Sequence, residues 1–215
     1  MDFEKARADM VMRLRALGVV HEAKVVAALE KVPRHQFLPP SMGDLAYIDR
    51  PLDIGEGQTI SAPHMVAIMA EALELRPGMK VLEVGAGSGY HAAVMAELIR
   101  PGGKVYSLER IEKLANQAWK NLEAAGYGND VDVIVADGSK GLKEHAPYDR
   151  ISVAAAAPRI PEPLMDQLKP DGIMLVPVGD PGYQEMKKVR KKGKRYEIEE
   201  MGAVMFVPLV GEHGY

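Results

Sequence analysis

Strand-like and helix-like patterns alternate through the middle of the chain. Short apolar runs predict five strands, at residues 80–85, 104–109, 131–137, 149–155 and 172–179. Helical patterns at residues 90–99 and 111–125 separate the first three of these runs. Because parallel strands need long crossover connections, which are usually helices, this order predicts a mostly parallel sheet with helices on both faces. The expected fold class is therefore α/β, a Rossmann-like doubly wound sheet.

The two ends of the chain depart from this alternation. The first 32 residues predict two helices, residues 33–58 are interrupted by proline and glycine and predict irregular structure, and a further helix is expected over residues 63–75. Two extended runs within residues 184–209 flank the turn signal Lys192-Gly193-Lys194, which predicts a β-hairpin. We expect this C-terminal hairpin to add antiparallel strands to one edge of the sheet.

The composition excludes several classes of function. The chain has 215 residues and no cysteine, so disulfides, thiolate metal sites and cysteine nucleophiles are excluded. The six histidines show no metal-ligand spacing, and no metal is expected. The net charge of −3 gives no reason to expect a nucleic acid partner. The basic cluster at residues 187–195 is more simply a solvated hairpin whose lysines protect an edge strand from aggregation.

The N-terminal segment bears on the location of the protein. It is charged throughout, without the basic and then apolar order of a signal peptide. No apolar run is long enough to cross a bilayer. We therefore expect a cytoplasmic protein with no membrane partner. A monomer is also expected.

A glycine-rich segment, Glu83-Val84-Gly85-Ala86-Gly87-Ser88-Gly89, follows the first predicted strand of the alternating region and opens a helix. Glycines at such a turn allow unusual backbone angles and close approach of a ligand to the backbone. Tyr90 occupies the position where the dinucleotide fingerprint G-x-G-x-x-G has its third glycine, which argues against a nicotinamide cofactor. The spacing G-x-G-x-G instead resembles motif I of the class I S-adenosylmethionine-dependent methyltransferases.

Two acidic residues stand at the ends of the next two strands. Glu109 lies 22 residues after Gly87, near the distance at which related nucleotide-binding folds place the acid that holds a ribose hydroxyl pair. The resemblance to the methyltransferases implies that Asp137-Gly138 contacts the adenine. The cofactor-binding residues implied in this way are Glu83, Gly85, Ala86, Gly87, Gly89, Glu109, Arg110, Asp137, Gly138 and Thr59.

The loop GEGQTISAPHM, residues 55–65, indicates the methyl acceptor. Its stretch GQTISAPHM resembles the signature of the protein-L-isoaspartate O-methyltransferases, and further segments that match this family lie at residues 81–98, 148–179 and 206–215. The resemblance covers nearly the whole chain from about residue 33. No internal repeat, linker or low-complexity segment appears, so one domain is expected over residues 1–215. Its parts are the N-terminal helices and an active-site loop (1–60), a cofactor-binding core (78–180) and the C-terminal hairpin (183–210).

The family resemblance also implies the reaction. S-adenosylmethionine would donate a methyl group to the free α-carboxylate of an L-isoaspartyl residue, leaving S-adenosylhomocysteine, and the partners would be damaged proteins and peptides. The ester then collapses to a succinimide, which can reopen to ordinary aspartate. A carboxylate with a pKa of about 4 is ionised at neutral pH, so no general base is required.

Ser61 is the candidate catalytic residue, since its neutral hydroxyl can hold a carboxylate oxygen without the strong ion pair that a lysine would form. The alternative role is an N-cap for the helix that starts near Pro63. The alanines at residues 154–157, which end the fourth strand, have two alternative roles: they permit tight packing, or they leave room for a peptide whose backbone is read by main-chain groups there. The expected substrate-binding residues are Ile60, Ser61, His64, Ala155, Ala156 and Val178.

Three other functions remain as alternatives. A class I methyltransferase acting on a small molecule or RNA would share the glycine motif but gives no reason for the loop at residues 55–63. A non-catalytic S-adenosylmethionine-binding adaptor would keep the glycines and tolerate loss of Ser61. A nicotinamide-dependent dehydrogenase conflicts with the glycine spacing. In addition, Tyr215 ends the chain where the family often has tryptophan, which puts the C-terminal contacts in doubt.

Overall fold

Two helices open the chain, as the sequence predicts. The computed structural model describes residues 2–215; Met1, which the single-domain prediction includes, lies outside the described residues. Helix α1 (Phe3–Ala16) is capped by the Asp2 side chain, which accepts a hydrogen bond from the Lys5 backbone N–H, and α2 (Ala23–Lys31) follows.

The segment between α2 and the next helix is more regular than its prolines and glycines suggest. It contains two 3₁₀ turns (Arg34–Phe37 and Pro40–Leu45) and a short antiparallel hairpin formed by β1 (Leu52–Gly55) and β2 (Gln58–Ile60). The expectation of irregular structure over residues 33–58 is therefore wrong at the hairpin. Its two turn residues both have positive φ, which matches the strand twist of a two-residue hairpin loop.

A seven-stranded sheet forms the centre of the molecule. Its strands are β3 (Lys80–Val84), β4 (Lys104–Glu109), β5 (Val131–Val135), β6 (Tyr148–Val153), β7 (Leu168–Asp180), β8 (Tyr183–Lys192) and β9 (Arg195–Val204). The spatial order is β5-β4-β3-β6-β7-β8-β9. The first five strands in this order are parallel, and β8 and β9 add antiparallel, so the predicted α/β fold with a C-terminal hairpin is confirmed.

Helices connect the strands and cover both faces of the sheet. These helices are α3 (Pro63–Ala72), which precedes the sheet, α4 (Tyr90–Ile99), α5 (Glu112–Ala124) and the short α6 (Glu162–Asp166). Neighbouring residues of β3 point to opposite faces, so Val81 joins the core beneath the N-terminal helices while Leu82 joins the core on the other face. This packing brings the carboxyl ends of β3, β4 and β6 together at one edge.

Within residues 2–215, every helix is too short or too polar to cross a membrane.

Candidate active site

The carboxyl ends of β3 and β4 form the floor of a cleft of about 830 Å³, measured with its open mouth. The loop after β3 supplies residues 85–88, and the end of β4 supplies residues 108–110. The φ angles of Gly85, Gly87 and Gly89 are 96°, 53° and 87°, in a region that favours glycine. A Cβ atom on Gly85 would lie 3.5 Å from the Ala154 Cβ, so the loop passes close to the end of β6. The floor is therefore largely bare backbone.

Glu109 forms the acidic end of this floor. The residue is 7% exposed and lines the cleft, and its carboxylate accepts hydrogen bonds from the backbone N–H groups of Gly87 and Ile111, both at 3.0 Å. These bonds tie the glycine loop to the end of β4. An ionised carboxylate has about four acceptor positions, so Glu109 can also accept from a pair of ribose hydroxyls.

Glu83 lies beneath the floor, not in the lining of the cleft. Its side chain is fully buried and accepts a hydrogen bond from the Ser107 hydroxyl of the neighbouring strand. On the other side, its Oε1 lies 3.3 Å from Nδ1 of His91, and His91 does line the cleft. Any effect of Glu83 on a ligand would therefore pass through His91 or through the position of the glycine loop.

The β1–β2 hairpin and the turn after it form one wall, with residues 58–61 in the lining. The cap residue of α3 is Ala62, and no side chain caps that helix end from the cap position. The alternative role of Ser61 as N-cap is thus wrong, because the helix begins one residue too late. Its hydroxyl is left at the wall of the cleft.

Asp49 replaces the missing cap from a distant part of the chain. Its Oδ1 accepts from the backbone N–H of His64 and also contacts Nδ1 of His64, both at 2.9 Å. His64 therefore belongs to the anchor of α3 and does not line the cleft, although the sequence places it near the substrate.

A second wall comes from a segment near the end of the chain, since residues 207–210 also line the cleft. Ala156 N–H donates to the Val207 carbonyl at 2.8 Å, and the Ala156 carbonyl accepts from Leu209 N–H at 2.7 Å. Ala156 is therefore not free to read a peptide backbone, which corrects that expectation. Val178 is likewise paired, with Glu185 of β8 and with Ala157.

The cleft brings together most of the residues predicted to bind the cofactor. Those that line it are Thr59, Gly85, Ala86, Gly87, Glu109, Arg110 and Gly138, whereas Glu83, Gly89 and Asp137 lie outside the lining. Among the predicted substrate residues, Ile60, Ser61 and Ala155 line the cleft, whereas His64, Ala156 and Val178 do not.

Two parts of the site were missed by reasoning from the sequence. Tyr90 and His91, in the first turn of α4, line the cleft, and so does the tail at residues 207–210. The tail lies in the segment FVPLVGEHGY, whose match to the family was the available signal, although no role could be drawn from it. Among residues 2–215, no group of three or more histidine, cysteine, aspartate or glutamate side chains could hold a metal ion.

The residues present fit the expected cofactor. A backbone-lined floor accepts the close approach of a ligand, Glu109 offers a buried acceptor for a ribose, and the cleft volume suits a molecule of nucleoside size. Together with the order of the sheet, this site defines the class of protein, an S-adenosylmethionine-dependent methyltransferase with the class I fold.

Solved structures agree with this class. A Plasmodium falciparum crystal structure, described as a protein-L-isoaspartate O-methyltransferase (beta-aspartate methyltransferase) in complex with S-adenosyl-L-homocysteine, has a TM-score of 0.85 and 26% identity, with 95% of this chain and 98% of that chain covered. A second structure described as a protein-L-isoaspartate O-methyltransferase has a TM-score of 0.86 and 32% identity, with 97% of this chain and 67% of that one covered.

Sequence comparisons name the particular family. The family model for protein-L-isoaspartate(D-aspartate) O-methyltransferase matches residues 5–214. A protein-L-isoaspartate O-methyltransferase of Methanopyrus kandleri is 54% identical over 214 residues, covering 99% of this chain and 95% of the relative. That of Aeropyrum pernix is 52% identical over 218 residues, covering 99% and 82%. The chain belongs to the protein-L-isoaspartate(D-aspartate) O-methyltransferase family, and the family and cofactor expected from the sequence are confirmed.

Proposed function

We propose that this chain transfers a methyl group from S-adenosylmethionine to the free α-carboxylate of L-isoaspartyl residues in aged proteins and peptides. The observation that carries the proposal is the position of Ser61, whose hydroxyl is not used to cap α3 and lies in the same cleft as the glycine loop and Glu109. Family membership supports this acceptor and not the alternative acceptors, a small molecule or RNA.

The residues of the cleft divide between cofactor and acceptor. Gly85, Ala86 and Gly87 would pass beneath the methionine part of the cofactor, and Glu109 would hold the ribose hydroxyls. Arg110 and Gly138 also line the cleft and would enclose the adenine. When bound, S-adenosylmethionine supplies an electrophilic methyl group on a positively charged sulfur.

Ser61 is proposed to donate a hydrogen bond to one oxygen of the isoaspartyl carboxylate. A neutral donor holds the oxygen in place and leaves its remaining lone pairs available for attack, whereas a cation would form a strong ion pair. Ile60 is buried beside it and excludes water from the nucleophile, and Thr59 completes this wall. Alignment of this kind contributes up to about 7–11 kcal/mol in the best intramolecular reactions.

The remaining sequence predictions are proposed as follows. The chain is a monomer of one domain, it works in the cytoplasm, and it does not bind nucleic acid. The last point is supported by the basic hairpin, where Lys187 contacts Glu185 and Glu200, and Lys188 and Arg190 both contact Glu74. Cations that are already paired offer little to a phosphate backbone.

The proposal is tested by transfer of labelled methyl from S-adenosylmethionine to an isoaspartyl peptide, with the aspartyl twin of that peptide as control. We expect methylation of the isoaspartyl peptide alone. Ser61→Ala should lower kcat about 10- to 100-fold, which corresponds to the loss of a hydrogen bond to a charged group. The exposed Ser41 lies outside the cleft, and Ser41→Ala should leave the rate unchanged. Equal methylation of both peptides, or full activity of Ser61→Ala, would contradict the proposal.

A further inference from the structure

The C-terminal tail (residues 207–215) is held by three loops at the carboxyl edge of the sheet. Ala156, after β6, pairs with Val207 and Leu209 through backbone hydrogen bonds. The Tyr215 hydroxyl donates to the carbonyl of Gly179, at the end of β7. The third attachment is the loop after β5, which contains Asp137 and Ser139. Each attachment joins the tail to the end of a different strand. The wall at residues 207–210 is therefore held both by its own backbone hydrogen bonds and by those of the residues that follow it.

Both oxygens of Asp137 are used in the third attachment. Its Oδ1 accepts from the backbone N–H of Ser139 at 3.0 Å and from the Ser139 hydroxyl at 2.6 Å. Its Oδ2 accepts from the backbone N–H of Glu212 at 2.9 Å, and the Ser139 hydroxyl oxygen accepts from His213 N–H at 3.0 Å. Burial raises the pKa of Asp137, but the hydrogen bonds from Glu212 and Ser139 outweigh it, and the pKa is lowered.

Gly211 shows how close this contact is. A Cβ atom on Gly211 would lie 2.1 Å from Oδ1 of Asp137 and 2.6 Å from the Ser139 hydroxyl oxygen, closer than such contacts can be. A larger residue would displace either the tail or the side chains of Asp137 and Ser139. The approach of tail to loop therefore depends on the absence of a side chain at position 211.

We infer that Asp137 and Ser139 are positioning residues that hold the tail as the wall against which the isoaspartyl peptide binds. The inference rests on the proposed function, because the tail and Ser61 line the same cleft. It gives the Asp137 side chain a role in holding the tail, in addition to the adenine contact expected from the sequence. Gly138, between the two positioning residues, lines the cleft.

Two variants test the inference by different routes. Asp137→Asn replaces one acceptor oxygen with an N–H₂ group, so the carboxamide cannot satisfy all three donors. Gly211→Ala keeps both Asp137 and Ser139 but places a Cβ atom where their side chains meet the tail, so the attachment is broken without loss of an acceptor. The matched control is Lys140→Ala, which removes an exposed ion pair between the same loop and the tail residue Glu212.

The measurement is the Kd of a fluorescent isoaspartyl peptide for the protein saturated with S-adenosylhomocysteine, which requires no turnover. Asp137→Asn and Gly211→Ala should each weaken peptide binding about tenfold, equivalent to about 1.4 kcal/mol or one hydrogen bond. The Kd of S-adenosylhomocysteine should change less than about threefold, and Lys140→Ala should change peptide binding less than about twofold.

Hydrogen exchange gives a second readout that is independent of any ligand. The amides of Glu212 and His213 should be protected in the natural protein and should exchange faster in Gly211→Ala. Free exchange of these amides in the natural protein would overturn the inference, and so would unchanged peptide binding in Gly211→Ala. If the natural protein binds and methylates no isoaspartyl peptide, the proposed function fails, whereas amide protection still reports on the attachment of the tail.

Discussion

The anchor between Asp49 and His64 leads to a prediction that links stability to catalysis. Helix α3 begins directly after Ser61 and Ala62, and the first N–H groups of a helix have no partner within it. Asp49 supplies an acceptor to the His64 N–H from 15 residues away in the chain. We predict that Asp49→Ala loosens this helix end and, with it, the position of Ser61.

The size of the effect is set by the two interactions that Asp49→Ala removes. Removal of an N-cap acceptor costs about 1 kcal/mol. The side-chain contact with His64 is about one-third exposed on each side and adds about 0–1 kcal/mol. A total of about 1–2 kcal/mol corresponds to a decrease in Tm of roughly 2–8 °C for a chain of this size. The methylation rate should fall by a larger factor than the loss of stability alone would cause, since a displacement of a catalytic group by about 1 Å can lower the rate about 100-fold.

Thermal unfolding and initial rates of peptide methylation measure the two effects on the same samples. Asp49→Asn keeps one acceptor oxygen and should recover most of the stability and most of the rate. Asp44→Ala removes an exposed acid from the neighbouring 3₁₀ turn and should change stability by less than about 0.5 kcal/mol. The reasoning is refuted if Asp49→Ala melts and reacts like the natural protein, or if Asp49→Asn is as damaging as Asp49→Ala.

Two further predictions concern the scaffold. Gly89→Ala should destabilise the protein by about 1–3 kcal/mol, because φ is 87° there and the new Cβ would lie 3.1 Å from Leu122. The control is Gly102→Ala, where φ is 81° but the space around the new Cβ is open, and it should destabilise the protein less. Denaturant titration measures both changes in the free energy of unfolding. Burial raises the pKa of Glu74, but hydrogen bonds and charge from two basic side chains of β8 outweigh it and lower the pKa below its ordinary 4.5. Its stabilisation is therefore present above that value and is lost as pH falls through the folded pKa, so Glu74→Gln should destabilise at pH about 7 and have no effect at pH about 2. An equal loss of stability in Glu74→Gln at both pH values would show that the charge of Glu74 is not the source of its stabilisation.

Much of the fold could be predicted because its strands and helices follow from local sequence patterns. The strand that became β3 is a short apolar run before a glycine turn, and β8 and β9 are separated by a turn signal, so their existence needed no tertiary information. The β1–β2 hairpin was missed because strands of four and three residues give no periodicity, and two-stranded sheets are stable only when other parts of the chain pack on them.

The backbone floor of the cofactor site could also be predicted from the sequence. Gly85 and Gly87 have a spacing that few functions require, and Glu109 stands at the end of the next strand, where parallel neighbours place their ends at the same edge. The walls of the cleft could be predicted less well. The contacts of Asp137, His64 and Ala156 join residues that are far apart in the chain, and nothing in their local sequence indicates that their polar groups are already paired.

The sequence by itself determined the order of strands and helices, the backbone floor for the cofactor and the family to which the chain belongs, because each depends on residue types at short, fixed spacings. Only the tertiary structure decided which side of the reaction each polar residue serves. A side chain is free to meet a ligand only if no other part of the protein has taken its hydrogen bonds, and that is settled by packing between distant segments.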